Sequence, residues 1–292
     1  MHWKIKSLLL LMTVSLAAVS QKTILWKVTN PNTNHTSYIM GTNHAIGSSF
    51  VDSFPVIRML LESSNVFVSE TIGSDTVIAG YYNRRTVTTS LLALLGEKDS
   101  SRLAAAFKNR SSYLNKMTPG EIMLYLGAGS RMTCTKYRAS DTVLIDDYLK
   151  ITASRSGKEL HFLESDSFQL AVIKRISDRF KAGIAKKMVP FYLNKLEKNA
   201  TAPQKCSDED KYASFDVDYR YSKNCRKRGA KSMLVTERNA AWMQQLQALV
   251  AGNNCFIAVG LGHLKNKCGL IQQFRKLGYT VEPVALRTDV QW

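Results

Sequence analysis

The chain has 292 residues, 45% hydrophobic and 22% charged, with 16 Gly and only 6 Pro, which is the composition of a globular protein and excludes collagen-like, low-complexity and wholly disordered chains. Forty Lys and Arg against 23 Asp and Glu give a formal charge of +17, and residues 101–232 carry 26 of those bases against 14 of the acids. A basic middle suits an anionic envelope or surface partner. The bases are scattered along helical patterns, however, without aromatic interleaving or zinc-finger spacing, so no nucleic-acid partner is expected.

The first twenty residues have the layout of an export leader. Lys4 and Lys6 form a basic start, Ser7–Ala17 an apolar run, and Ala18-Val19-Ser20 a small-residue cleavage site. Cutting after Ser20 leaves residues 21–292 as one domain, secreted or periplasmic. An uncut anchor is the alternative, but the apolar run falls short of the roughly 20 residues that span a bilayer. No later stretch is long and apolar enough, so no transmembrane segment is expected in the mature chain.

Ile24–Val28 and Ser37–Met40, joined by the turn-rich stretch from Asn30 to His35, predict a hairpin. Gly41-Thr42-Asn43-His44 follows, then a helix near Phe54–Ser63 and a strand, Asn65–Glu70, ending in a carboxylate. The far end repeats this plan: a strand over Asn254–Val259, Gly260-Leu261-Gly262-His263, a helix near Lys267–Leu277, and a strand over Tyr279–Leu286. Both units are βαβ, which predicts parallel strands and places the two Gly-x-x-His loops at strand carboxyl ends, where open α/β sheets build their sites. Between them, over about residues 87–250, the chain is mainly helical. Thr118-Pro119-Gly120-Glu121 is a helix start, Asp146–Ser156 a helix closed by Gly157, Leu160–Leu163 a strand ending at Glu164, and Ser167–Ile184 and Thr236–Ala251 two further helices. The expected class is therefore α/β, a mixed and largely parallel sheet built from two βαβ units with a helical middle region.

The five Cys are Cys134, Cys206, Cys225, Cys255 and Cys268, an odd number that leaves at least one unpaired within the chain. Cys206 and Cys225 flank a polar stretch, Ser207–Asn224, and a local disulfide closing it is expected, with free thiols as the alternative. No spacing is C-x-x-C, so neither a redox motif nor a zinc knuckle is indicated.

Beyond the leader the chain has four His: His35, His44, His161 and His263. Two of them occupy the Gly-x-x-His loops, and Glu70 ends the strand that follows the first. Two imidazoles and a carboxylate form a common divalent-metal set with positions left for water and substrate; alternatively Glu70 caps a helix or pairs with an Arg. Arg238 falls where a helix is expected to open, against the helix dipole, which points to an external anion or carboxylate as its partner rather than plain solvation. Glu164 and Asn239 complete the polar candidates, for contact with substrate, while His161 in its strand reads as structural.

These residues also carry a resemblance. Leu25-Trp26-Lys27-Val28, Tyr38-Ile39-Met40-Gly41-Thr42-Asn43-His44 and Val66-Phe67-Val68-Ser69-Glu70 are similar to the opening of TraB/GumN-family proteins. Leu163-Glu164 with Gln169, Glu237-Arg238-Asn239 with Trp242, Val259-Gly260-Leu261-Gly262-His263-Leu264, Gly269-Leu270 and Gly278-Tyr279 resemble its later signatures. The chain departs from the pattern at Leu144, before Ile145-Asp146, and at Asn266, where the family often has Gly; neither departure falls on a proposed ligand. That family includes the animal Tiki metalloproteases and bacterial pheromone-shutdown proteins, and is similar in fold to erythromycin esterases and the haem-binding ChaN-like group. The resemblance implies a metal and catalytic centre at His44, His263 and Glu70, with Arg238 as a further polar site residue. It implies a Mn- or Co-type divalent metal more than a structural Zn. The expected function is a secreted or periplasmic metal-dependent hydrolase, a peptidase acting on a peptide or protein substrate, with Glu70 as ligand or general base. A non-catalytic peptide-binding protein and an iron- or haem-binding protein are the alternatives.

Overall fold

The computed structural model describes residues 22–286 apart from 34, 74, 87–90, 109–113, 133–142, 202–206 and 231; the expected leader, Cys134 and Cys206 lie outside the described residues. Six strands form one sheet: β1 (Leu25–Thr29), β2 (Thr36–Thr42), β3 (Val66–Ser69), β4 (Glu159–Phe162), β5 (Cys255–Gly260) and β6 (Thr280–Pro283), in the order β4-β3-β5-β2-β1-β6. β1 pairs antiparallel with β2 on one side and β6 on the other, while β2, β3, β4 and β5 pair in parallel. Only β1 therefore runs against the rest. The predicted hairpin and both βαβ units are present, but each crossover passes over intervening strands: β2 and β3 flank β5, and β6 lies two strands beyond β2 at the sheet's edge.

Twelve α-helices accompany the sheet among the described residues: α1 (Ser49–Asp52), α2 (Pro55–Glu62), α3 (Asp75–Asn83), α4 (Leu91–Leu94), α5 (Glu97–Ala106), α6 (Pro119–Met132), α7 (Ile145–Arg155), α8 (Asp166–Ser177), α9 (Ala182–Thr201), α10 (Ser207–Ala213), α11 (Glu237–Gly252) and α12 (Leu270–Lys276). The strands sort their side chains with period two. On β5, Cys255, Ile257 and Val259 join one core, where Trp242, Leu246 and Val250 of α11 and Leu270, Ile271 and Phe274 of α12 pack. Phe256 and Ala258 face the other core, with Ile57 and Leu61 of α2 and Ile145 and Leu149 of α7. Both faces of β5 are thus dry, which is why its sequence reads as a continuous apolar run rather than an alternating one.

A third core belongs to the helical region, where Leu103 of α5, Ile122 and Leu126 of α6, and Ala185, Val189 and Leu193 of α9 interlock. The start of α6 behaves as its sequence predicts: Thr118 Oγ1 accepts from the Glu121 N–H at 3.2 Å and Glu121 accepts from the Thr118 N–H at 2.8 Å. The expected single helix over Ser167–Ile184 is instead two, α8 and α9. The chain turns at residues 178–181, bringing Phe180 onto this third core. No Gly or Pro marks that turn, so tertiary packing alone sets it.

The disulfide also differs from expectation. Cys225 pairs with Cys268, not Cys206, because the irregular segment after α10 folds back onto the loop following β5 instead of closing on itself. The Asn266 N–H donates to the Tyr219 carbonyl and the Lys267 N–H to the Lys223 carbonyl along the same seam. Asn266 sits at φ 67°, the left-handed conformation that Asn accepts in place of Gly.

Where α6 meets the end of α8, Gly120 lies so close that an added Cβ would stand 2.1 Å from the Ser177 carbonyl oxygen, whereas at Gly252 it would meet nothing within 4 Å. Gly120→Ala is expected to lower stability in urea unfolding by about 2–3 kcal/mol, the upper range of overpacking, and Gly252→Ala to change it by less than about 0.5 kcal/mol.

Candidate active site at the sheet's carboxyl edge

Four neighbouring parallel strands end at one edge, and each delivers a polar group. Glu164 follows β4, Glu70 follows β3, Gly260 ends β5 ahead of His263, and His44 follows β2. The two Gly-x-x-His loops pack on each other: a Cβ at Gly41 would stand 2.7 Å from Leu261 Cδ1 and 2.9 Å from Leu264 Cδ1. At Gly260 an added Cβ would meet Glu70 Oε1 at 3.2 Å, His44 Nε2 at 3.3 Å and His263 Cδ2 at 3.8 Å. The space above Gly260 is therefore a cradle around which the three predicted residues gather.

The hydrogen bonds orient both rings. Asn239 Nδ2 donates to the carbonyls of His263 and Cys268 at 2.9 and 2.8 Å, so its Oδ1 is left to accept from His263 Nδ1 at 2.5 Å. That tautomer leaves a lone pair on His263 Nε2. His44 Nδ1 donates to Asp146 Oδ2 at 2.7 Å, and Thr42 Oγ1 donates to the other Asp146 oxygen at 2.6 Å. Asp146 arrives there because the start of α7 is tied to the loop after β2: the Ile145 N–H donates to the Ile46 carbonyl and the Ser48 N–H to the Val143 carbonyl.

Arg238 joins the remaining groups. Its Nε and Nη2 donate to Glu164 at 2.9 and 2.5 Å, and Nη2 also donates to Glu70 Oε2 at 2.6 Å. Nη1 donates to the Leu234 carbonyl at 3.1 Å and faces His263 Nε2 at 3.3 Å. The guanidinium lies 4.6 Å from the Trp242 ring, whose Nε1 donates to Glu164 at 3.2 Å. Glu70 Oε1 accepts from the Gly260 N–H at 2.8 Å. Arg238 is in the first turn of α11, as expected, but a wide π turn over Ser232–Thr236 precedes it, and two carboxylates of the chain itself answer its charge.

The electrostatics follow from these pairs. The Asp146 carboxylate raises the His44 pKa to about 9. Burial lowers that of His263 to about 4, so this ring is neutral at physiological pH. Burial works to raise Glu70, but His263, the Arg238 charge, His44 and the Gly260 N–H outweigh it and hold the carboxyl below its ordinary range. Asp146 is likewise held low by His44 against its burial.

His44, Glu70, His263 and Arg238 thus meet, and the pairing of Glu70 with an Arg, the alternative to a ligand role, is present alongside that convergence. Glu164 and Asn239, expected to contact substrate, are placed one layer back. The Glu164 side chain, 5% exposed, lies against Arg238, and Asn239, 0% exposed, lies behind His263. Asp146, Thr42 and Trp242 were not read as site residues from the sequence. Asp146 reads as an ordinary acid in a helix's first turn, and the segment expected to touch no ligand supplies the partner of His44. His35 and His161 stand apart, on Asn254 and Gln245.

The model of the TraB/PrgY/gumN family matches residues 24–283, from the edge of β1 to the end of β6. The chain belongs to that family. No curated protein matches it significantly. In this TraB/PrgY/gumN chain the residue types are those of a divalent-cation site: His44 Nε2 and Glu70 Oε1 border the Gly260 cradle, His263 Nε2 lies 3.7 Å from Glu70 Oε1, and each ring is oriented from behind by an oxygen acceptor, as in metal sites. Three carboxylates against Arg238 and the protonated His44 leave one negative charge, which becomes two when His44 gives up its proton. Among the described residues no group of three His, Cys, Asp or Glu stands at metal-ligand spacing, and Arg238 Nη1 faces His263 Nε2 at 3.3 Å.

Because the folded pKa of His44 exceeds the free value of 6.5, the His44–Asp146 pair stabilises the fold fully below about pH 6.5 and loses that contribution as pH rises through about 9. In metal-free protein, the His44 ring resonances are expected to titrate near 9. In Asp146→Asn they are expected to move down toward about 6.5, while His263 stays neutral across the same range.

Proposed function

We propose that this family member is an exported, divalent-metal-dependent hydrolase that cuts a peptide bond. The observation that carries the proposal is the gathering of His44, Glu70 and His263 around Gly260, with His44 Nε2 turned toward that space and His263 Nε2 3.7 Å from Glu70 Oε1. The size of the opening supports a polymeric substrate: the site lies in a cleft of about 2570 Å³, well beyond the ~300–1,000 Å³ of small-ligand pockets. Its lining includes the apolar Leu124 and Ala128 of α6 and Leu170 and Ile173 of α8, together with the segment over residues 216–226. The basic-then-apolar leader and the Cys225–Cys268 disulfide support export to an oxidising compartment.

A Mn- or Co-type cation held by His44, His263 and Glu70 would polarise a carbonyl and lower the pKa of water toward neutrality. The chain's own residues do the rest. Asn239 and Asp146 hold the two rings so that Nε2, not Nδ1, faces the substrate. The Gly260 N–H and Arg238 keep Glu70 ionised. Arg238, fixed by Glu164 and Trp242, turns Nη1 toward the reacting centre, where it stabilises the negative oxygen that develops on the carbonyl. A second reading, a peptide-binding protein without turnover, draws on the same cleft, whose volume and mixed apolar and polar lining suit a peptide whether or not it is cut. Saturable peptide binding with no cleavage at any metal concentration would decide for it.

Metal content of purified variants tests the leading reading. His44→Ala, His263→Ala and Glu70→Gln are each expected to lower Mn affinity by well over the roughly 10–100-fold seen when an outer partner of a ligand is lost. His35→Ala and His161→Ala should bind as the unmodified protein does, and Arg238→Ala should retain metal but lose peptide cleavage. Full occupancy in both His44→Ala and His263→Ala would overturn the metal assignment. Because His44 gives up its proton when it ligates, and that proton is held up to about pH 9, Mn affinity measured by calorimetry should rise by about tenfold per pH unit between 6 and 8.

A further inference from the structure

α9 has two opposite faces with different fates. Ala185, Val189 and Leu193 form its buried stripe, each 0–2% exposed, against the helical core. On the outer side Ile184 is 46% and Phe191 56% exposed, and the spacing of 184, 187, 191 and 195 sets both on one stripe with the exposed Lys187 and Lys195. Residues 181–195 contain four Lys (Lys181, Lys186, Lys187 and Lys195) and no Asp or Glu. Glu197, the first acid beyond them, is engaged by Arg102.

We propose that this outer face of α9 is a membrane-surface contact that seats on a bilayer of anionic lipid. Each part of the stripe meets its complement there: the ammonium groups lie at the level of anionic headgroups, and Ile184 and Phe191 enter the boundary below them. A water-soluble polyanion would satisfy the lysines but leave both apolar side chains wet. A second copy of the chain would cover the apolar side chains but bring the lysines against their own kind across a two-fold axis. The face lies on a helix apart from the catalytic cleft, so the inference stands whatever the site does.

The test is co-sedimentation of the full mature chain with vesicles of phosphatidylglycerol and phosphatidylcholine, compared with phosphatidylcholine alone. Partition is expected into the anionic vesicles only and should weaken with salt. Lys187→Glu with Lys195→Glu should lower it at least tenfold, at about fivefold for each lysine lost, and Ile184→Ser with Phe191→Ser by a similar factor. All four side chains are at the surface, and circular dichroism should show an unchanged fold. Phe191→Trp, in an otherwise intact chain, should shift its emission to the blue on anionic vesicles. Absence of partition would overturn the proposal, as would double variants that bind like the unmodified protein. Binding that depends on the lysines alone, with no blue shift in the Phe191→Trp variant, would overturn it too and assign the face to a polyanion instead.

Discussion

A guanidinium with 7% of its side chain exposed must be surrounded by acceptors or remain in water, and Arg238 has Glu164 on one side and Glu70 on the other. Taking charges of this kind out of water is costly, and the attraction between them offsets that cost only when the geometry is good and the leftover donors are filled. Here Glu164 receives two donors from Arg238 and one from Trp242, while Glu70 receives Arg238 and the Gly260 N–H. Losing Arg238 would leave two carboxylates facing each other in a dry site, the situation in which breaking one buried pair costs about 3–5 kcal/mol. β3, β4, β5 and α11 are all tied to this one ion.

That tie is available only because of how the sheet is wound. If strands alternated in direction, the groups after β2, β3, β4 and β5 would be divided between two edges. The parallel run β4-β3-β5-β2 sends all four carboxyl ends the same way, and the single reversed strand, β1, lies outside it. Open α/β sheets form crevices at this edge because the loops leaving adjacent strands diverge to opposite faces. Here the helical region and the strapped segment after α10 wall the crevice in, which turns a shallow edge into a long cleft.

The groups packed behind the two histidines explain why they differ although their motifs match. His263 is packed against Trp242 with ring centres 4.3 Å apart and is held by a neutral amide, so burial dominates and the ring stays uncharged. His44 is 62% exposed and faces a carboxylate, so charge dominates and the ring holds its proton. The Cys225–Cys268 disulfide enters the same layer from the other side. Asn239, which orients His263, also donates to the Cys268 carbonyl, so the strap and the imidazole share one amide.

Much of this was legible in the amino-acid order. Short apolar runs give the strands, glycines give the loops, and the two Gly-x-x-His loops single out His44 and His263; Glu70 stands out at a strand's end and Arg238 at a helix's start, and the family signatures repeat all four. All of these depend on short-range pattern, where a residue's neighbours in sequence are also its neighbours in space. Tertiary structure alone decided what depends on distant pairs. Asp146 reaches His44 across 102 positions, and nothing local distinguishes it from Asp147 beside it. Cys225 chose Cys268 over Cys206 because a loop folded back against β5. The break between α8 and α9 has no breaker residue. Above all, the sequence offered Arg238 a partner outside the chain, and the fold supplied two inside it. A side chain's charge is written at its own position, but whether that charge is answered by water, a ligand or another residue is settled only when separate elements pack together.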